Sequence, residues 1–253
     1  LNKLNKKAAK LFNTGAYPQA TYGKEGMGVA PTQLNGLRRL AAQAVSTSTT
    51  GQCPTTLIWT ALGKKADPAI KVVGDQLRTW FTLATKEDMT IVSKAWWTSK
   101  GKYYGSKNPW GTVAGPLGAT IATLDSIGWH PTTPFKWVDR QENVWKYKPD
   151  TPVNDILNQA IEDVSAILWK DAAEHMDGKG LEEGPDLTVL WKHIKSLRRK
   201  DRHQAATLLQ TIAAGGIWSL RRKYEHGIVE DSTCPWCGER EQTNFHMCWG
   251  CPK

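Results

Sequence analysis

Along most of this chain the apolar side chains recur every three or four positions, the spacing of helices that bury one face and wet the other. In "TQLNGLRRLAAQAV", residues 32–45, Leu34, Leu37, Leu40, Ala41 and Ala44 share one stripe while Arg38 and Arg39 fall off it. In "ADPAIKVVGDQLRTWFTLAT" Asp67 is a natural N-cap with Pro68 at the first helical position, and Ile70, Val73, Leu77 and Trp80 or Phe81 make the apolar face. Thr85 and Asp88 have the spacing of a capping box, which opens a further helix through Trp96 and Trp97. Pro116 starts a short helix on Leu117, Ile121, Leu124 and Ile127, and Gly128 with Pro131 ends it. Thr151 caps a long helix whose Val153, Ile156, Leu157, Ala160, Ile161, Val164, Ile167 and Leu168 keep helical spacing. Two further helical stretches, "LTVLWKHIKSLRRKDRHQ" and "IWSLRRKYEHG", flank one that Asp201 can cap and that Gly215 and Gly216 end.

Three stretches break this rhythm. "STSTTGQCPTT" reads as a polar loop, and the glycine-rich "GKYYGSKNPWGTVAG", residues 101–115, reads as an internal boundary or exposed loop. "FKWVDRQENVWKYK" sets Phe135 and Trp137 against Trp145 and Tyr147 around a polar centre, which predicts a short β-hairpin near 134–148. The expected architecture is therefore mainly α: a helical region over 1–100, a connector over 101–150, a second helical region over 151–233 and a small module over 234–253. No internal repeat is present.

Composition adds compartment and partner. The 253 residues, 40% of them apolar, suffice for a real core. Neither an apolar run long enough to span a membrane nor a signal peptide occurs. The chain opens on Leu1 and stops two residues past Cys251, so it reads as a piece of a longer product. Cys53 stands alone and the other four cysteines crowd the last twenty residues, which speaks for a reducing intracellular compartment, the nucleus included, over a disulfide framework. The net charge of +9 is uneven: residues 1–100 and 191–253 are basic, and the stretch between 151 and 190 is acidic. Two basic regions suit contact with nucleic acid. Of thirteen tryptophans most are expected in the core, with a few free to stack on unpaired bases.

The last twenty residues carry the strongest chemistry. Cys234, Cys237, His246 and Cys251 read as C-x2-C-x8-H-x4-C. Two thiolates in a tight turn can face one ion, with Gly238 easing the reversal, and three thiolates with one imidazole favour a closed, structural Zn2+ site. Cys248 supplies a competing set, C-x2-C-x10-C-x2-C, in which His246 is a bystander. His175, His193, His203 and His226 are scattered singly and read as surface residues; Cys53, in its polar loop, has no neighbouring base to activate it.

"CPWCGEREQTNFHMCWGCP" resembles the zinc-binding module near the C-terminus of many non-LTR retrotransposon reverse transcriptases, where a C-P-x-C-G knuckle precedes an E-T-x-x-H stretch and a closing C-P. Cys234, Pro235, Cys237, Gly238, Thr243, His246, Cys251 and Pro252 carry the match, while Gln242 interrupts the usual Glu-Thr pair. The resemblance implies His246 over Cys248 as ligand. "LFNTGAYPQATYGKEGMGVAPTQLNGLRRLAAQA" is similar to the segment that leads from the palm into the thumb of these enzymes, on Pro18, Ala20, Tyr22, Gly23, Leu34, Leu37 and Arg38. The two matches span roughly residues 1–45 and 205–253. They imply a parent RNA-directed DNA polymerase whose fingers and palm precede Leu1 and contact this piece. No adjacent Asp-Asp pair occurs in the chain, so no polymerisation is expected of it alone.

The expected partner is RNA, DNA or their hybrid, met by Lys192, Lys195, Arg198, Arg199, Lys200, Arg202, Arg221, Arg222 and Lys223. The alternative is a helical scaffold with a zinc hairpin that recruits a protein through the acidic helix from Thr151 to Met176. On that helix Asp155, Glu162, Asp163, Asp171 and Glu174 read as a solvated row or as a dock for a basic helix of the same chain.

Overall fold

The computed structural model describes residues 11–46, 49–148, 151–176, 178–238 and 240–253, with Trp249 described by its backbone alone. The first ten residues of the thumb-like region lie outside the described residues. Prolines set many of the helix starts, because a residue without an N–H fits the first turn at no cost in hydrogen bonds. Two short turns, α1 (Tyr17–Ala20) and α2 (Lys24–Met27), precede α3 (Pro31–Val45), α4 (Pro54–Leu62), α5 (Pro68–Lys86), α6 (Met89–Tyr104) and α7 (Gly115–Ser126). Three antiparallel strands follow in the order β1 (His130–Thr133), β2 (Lys136–Val138) and β3 (Val144–Lys146). Helices α8 (Val153–Ala173), α9 (Thr188–Arg199), α10 (His203–Ala213) and α11 (Leu220–Glu225) complete the body.

Helix α5 lies at the centre, packed by α7 and α8, with Leu77 and Trp80 fully buried. Its apolar stripe is the one expected, and Asp67 caps it by accepting the Ala69 N–H at 3.0 Å. Helix α6 and the sheet region lay an aromatic layer over it: the Trp80 ring lies 5.1 Å from Trp96 of α6 and 6.4 Å from Trp137 of β2, and Phe81 lies 4.9 Å from Tyr147, just past β3. The expected hairpin is present, with Trp137 opposite Trp145. Strand β1 has no signal in the sequence; Pro131 lies within it, tolerable because β1 is an edge strand and its register slips between Pro131 and Thr133.

The tryptophan excess has a polar counterpart. Three indole N–H groups each donate to a carboxylate: Trp59 to Asp67 at 3.0 Å, Trp129 to Asp163 at 2.6 Å and Trp145 to Asp139 at 2.8 Å. All three aspartates are buried. A large ring fills the core while its one donor satisfies a charge that would otherwise be costly to bury.

These pairings correct several expectations. Arg38, placed off the apolar stripe of α3, is buried: its Nε donates to Asp67 at 3.0 Å and its Nη2 to Thr55 at 2.7 Å. Asp163 leaves the solvated row for the core, while Asp155, Glu162, Asp171 and Glu174 stay exposed, Glu162 in an ion pair with Lys64 at 2.7 Å. The polar loop around Cys53 gives way to α4 at Pro54, and Cys53 is buried, its N–H bonded to Ala214 O at 2.7 Å. Asp88 alone caps α6, without Thr85. Thr151 accepts from the Lys148 N–H, and α8 starts after Pro152. Asp201 adopts φ 55° and lies 3.4 Å from His203 Nε2 instead of capping α10. Residues 101–115 mark no break in the core, since α6 runs through Gly101 and one buried cluster extends from Phe12 to Ala214.

Candidate metal centre and basic face

Beyond α11 the chain turns back on itself around the first two cysteines. Cys234 N–H bonds Arg240 O at 2.8 Å and Gln242 N–H bonds Ser232 O at 2.7 Å, with Thr233 bridged to Glu241. Inside this loop the Gly238 N–H returns to Cys234 O at 2.8 Å, and Gly238 takes φ 70°, a left-handed conformation that glycine adopts without strain. Thr243 then caps the helical turn His246–Gly250: its hydroxyl accepts the His246 N–H at 3.0 Å. The imidazole is thereby carried toward the knuckle.

The result is a compact donor set. One ligating atom from each of Cys234, Cys237, His246 and Cys251 lies within 4.8 Å of the others. Cys237 Sγ is 3.3 Å from His246 Nε2, and the Cys234 and Cys251 sulfurs are 4.0 Å apart. A tetrahedron with metal–sulfur bonds of about 2.3 Å has sulfur–sulfur edges of about 3.8 Å, so the spacing suits a single ion. Cys234 and His246 are buried, whereas Cys248 is exposed and stands outside the set. The four residues can hold a metal ion, and the structure brings together His246, not Cys248.

The thiols are not equivalent. Burial pushes the Cys234 thiol up, but the N–H groups of Cys237 and Trp236, together with His246, outweigh it and bring it down to about 6. At Cys251 the Lys253 N–H lowers the thiol, while burial and the sulfurs of Cys234 and Cys237 drive it above the ordinary range. A second thiolate beside the first is unfavourable without a cation between them, and a metal ion supplies that charge.

Gln242, the residue that interrupts the Glu-Thr pair, has a structural task. It is buried; its side-chain oxygen accepts the Leu220 N–H at 3.1 Å and its backbone oxygen accepts the Arg221 N–H at 3.1 Å. Both are first-turn donors of α11, which have no partner inside the helix. Arg221 adds ion pairs to Glu225 at 2.7 Å and to Glu241. The module is thus docked onto the start of α11. Nothing in the sequence marks Gln242 for this, beyond its being an insertion in an otherwise regular motif.

The nine expected phosphate contacts divide. Helices α9 and α10 form a hairpin with a small core of its own, Ile194, Leu197 and Ala206. Lys192, Lys195, Arg198, Arg199, Lys200 and Arg202 are all exposed on it, with Arg198 bonded to Gln210 at 2.9 Å. The second cluster disperses. Arg222 is buried: its Nη1 donates to Gly215 O at 2.9 Å and Ile217 O at 3.0 Å, its Nη2 to Gly51 O at 3.3 Å, and its guanidinium lies 4.6 Å from the Trp218 ring. It joins the C-terminal region to the body and is not available to a phosphate. Arg221 is engaged by two glutamates, and Lys223 is half-buried.

No helix among the described residues is long and apolar enough to cross a membrane. Compared with known proteins, the chain matches no family model, no curated protein and no solved structure.

Proposed function

We propose that this chain is the nucleic-acid-binding C-terminal portion of a retroelement reverse transcriptase, with a structural Zn2+ in the Cys234, Cys237, His246 and Cys251 cluster. The observation that supports it best is that cluster: three sulfurs and one imidazole nitrogen converge within 4.8 Å at the residues of the motif that resembles the reverse-transcriptase module. Three thiolates select a borderline-soft ion over the hard cations that want oxygen. Four protein ligands leave no open position for catalysis, so zinc here fastens structure.

In this reading the exposed face of the α9–α10 hairpin meets the phosphates of RNA, DNA or their hybrid, and the zinc module fixes the chain beyond it. Polymerisation belongs to a palm outside residues 1–253, whose paired aspartates this chain lacks. The test is titration with RNA, DNA and hybrid duplexes at two salt concentrations. Replacing Lys192, Lys195, Arg199 and Lys200 by glutamine should lower affinity and flatten the salt slope by about one unit for each phosphate left without its cation. An unchanged affinity and slope would remove the reading and favour a scaffold that recruits a protein through the exposed carboxylates of α8.

A further inference from the structure

Among the described tryptophans three are exposed: Trp97, Trp191 and Trp236. Trp191 is tied down by a hydrogen bond from its indole to Trp59 O at 3.2 Å, and Trp236 sits inside the cysteine knuckle. Trp97 has a different setting. It lies on α6, and Tyr104 follows it by seven residues, two helical turns or about 10.5 Å along the same face. The two rings are 50% and 43% exposed. Gly101 lies between them on that face, and a Cβ placed there would meet nothing within 4 Å. The glycine therefore answers no packing need, although it weakens the helix, and it leaves open space between two aromatic rings.

Both rings are held. Lys100 Nζ lies 5.2 Å from the centre of Trp97 and donates to Thr132 O at 3.2 Å, tying the helix to β1. The Tyr104 hydroxyl donates to Asp125 at 3.3 Å, and its ring stands edge-on to Tyr103 at 5.1 Å. Along the sequence the charge has one sign: from Met89 to Leu124 the chain carries Lys94, Lys100, Lys102 and Lys107 and no aspartate or glutamate. Asp125 is the nearest carboxylate in sequence on the C-terminal side, and it is engaged by Tyr103 and Tyr104. Asp88, on the other side, is engaged in capping α6.

We infer that this face of α6 binds a single-stranded nucleic-acid segment, its bases stacked on Trp97 and Tyr104 and its phosphates beside Lys94 and Lys100, three residues before and after Trp97. Exposed aromatic rings interleaved with lysines are the chemistry of sequence-tolerant single-strand binding, since every base presents a flat face. A duplex keeps its bases stacked on one another and cannot use these rings. The inference rests on the reading of the chain as a nucleic-acid binder and adds a surface separate from the α9–α10 hairpin.

The experiment uses the full chain with oligo(U) and oligo(dT) of about 12 nucleotides and a duplex of equal length, read by fluorescence anisotropy. W97A/Y104A should lower single-strand affinity about tenfold or more and leave duplex affinity within about twofold, with the salt slope unchanged because no charge is removed. W97F/Y104F should keep single-strand affinity, which separates stacking from loss of fold, and Gly101→Leu should reduce it by crowding the space between the rings. Equal losses on both probes, or no loss on either, overturn the inference while the hairpin reading stands. No binding of either probe by the unaltered chain overturns both.

Discussion

The helical body and the C-terminal module bury charge by opposite means. In the body each buried carboxylate among the described residues is matched by polar side chains: Asp67 by Arg38 and Trp59, Asp163 by Trp129, Gln141 and Gln159, and Asp139 by its hairpin neighbours Trp145 and Asn143. In the module three thiols and an imidazole face one another. The body is complete as protein; the module's four side chains can hold an ion. Metal loss should therefore separate the two regions in stability, whereas a break in the body's ion pair should weaken the whole.

The sharpest break of that contrast is in the body. Arg38→Met leaves Asp67 buried without its cation and should cost about 3–5 kcal/mol in urea unfolding. Adding Asp67→Asn to it should recover some of the loss, because the uncompensated charge is gone. Chelation comes next. Hydrogen exchange should show the N–H groups of Cys234, Gly238 and Gln242 losing protection while those of α5 keep theirs. Trp129→Phe keeps most of the ring and removes one donor from Asp163, for an expected cost of about 1–3 kcal/mol. A smaller effect is expected from acid. Burial alone would raise Asp139, but donors from Trp145, Asn143 and Gln141 outweigh it and hold its carboxyl below the ordinary value. Its stabilisation is thus full above the unfolded carboxylate range, near pH 4, and is lost as pH falls through the lower folded value. Asp139→Asn should remove that share of the acid dependence, seen as a smaller loss of thermal midpoint between neutral and acid solution.

Period and punctuation make much of the helical body legible. The stripe of α5, its Asp67 cap and the Trp137–Trp145 hairpin follow from local patterns that the tertiary fold leaves unchanged. What local pattern cannot show is the partner of a charge. Arg38 and Asp67 are twenty-nine residues apart, so an arginine off the apolar stripe reads as wet. Asp163 meets Trp129 across thirty-four residues for the same reason. Helix α4 is hidden because its first turn carries Thr55 and Thr56, poor helix formers that are buried here, Thr55 donating to Leu168 O of α8. Of the nine expected phosphate contacts, the six on the hairpin are exposed, but Arg222 bonds to backbone oxygens that no sequence pattern announces.

The candidate metal ligands are legible for the opposite reason. An ion that folds one local loop needs its ligands close in sequence, and spacing alone narrows them to two sets that share three cysteines. Geometry separates the sets: His246 is buried beside Cys237, and Cys248 is exposed.

The most direct test of the proposed zinc module is the metal content of the purified chain and its single variants. One zinc ion per chain, retained in Cys248→Ser and lost in His246→Ala and Cys237→Ser, is the expected result. Zinc lost in Cys248→Ser and kept in His246→Ala, or no bound metal in the unaltered chain, would contradict it.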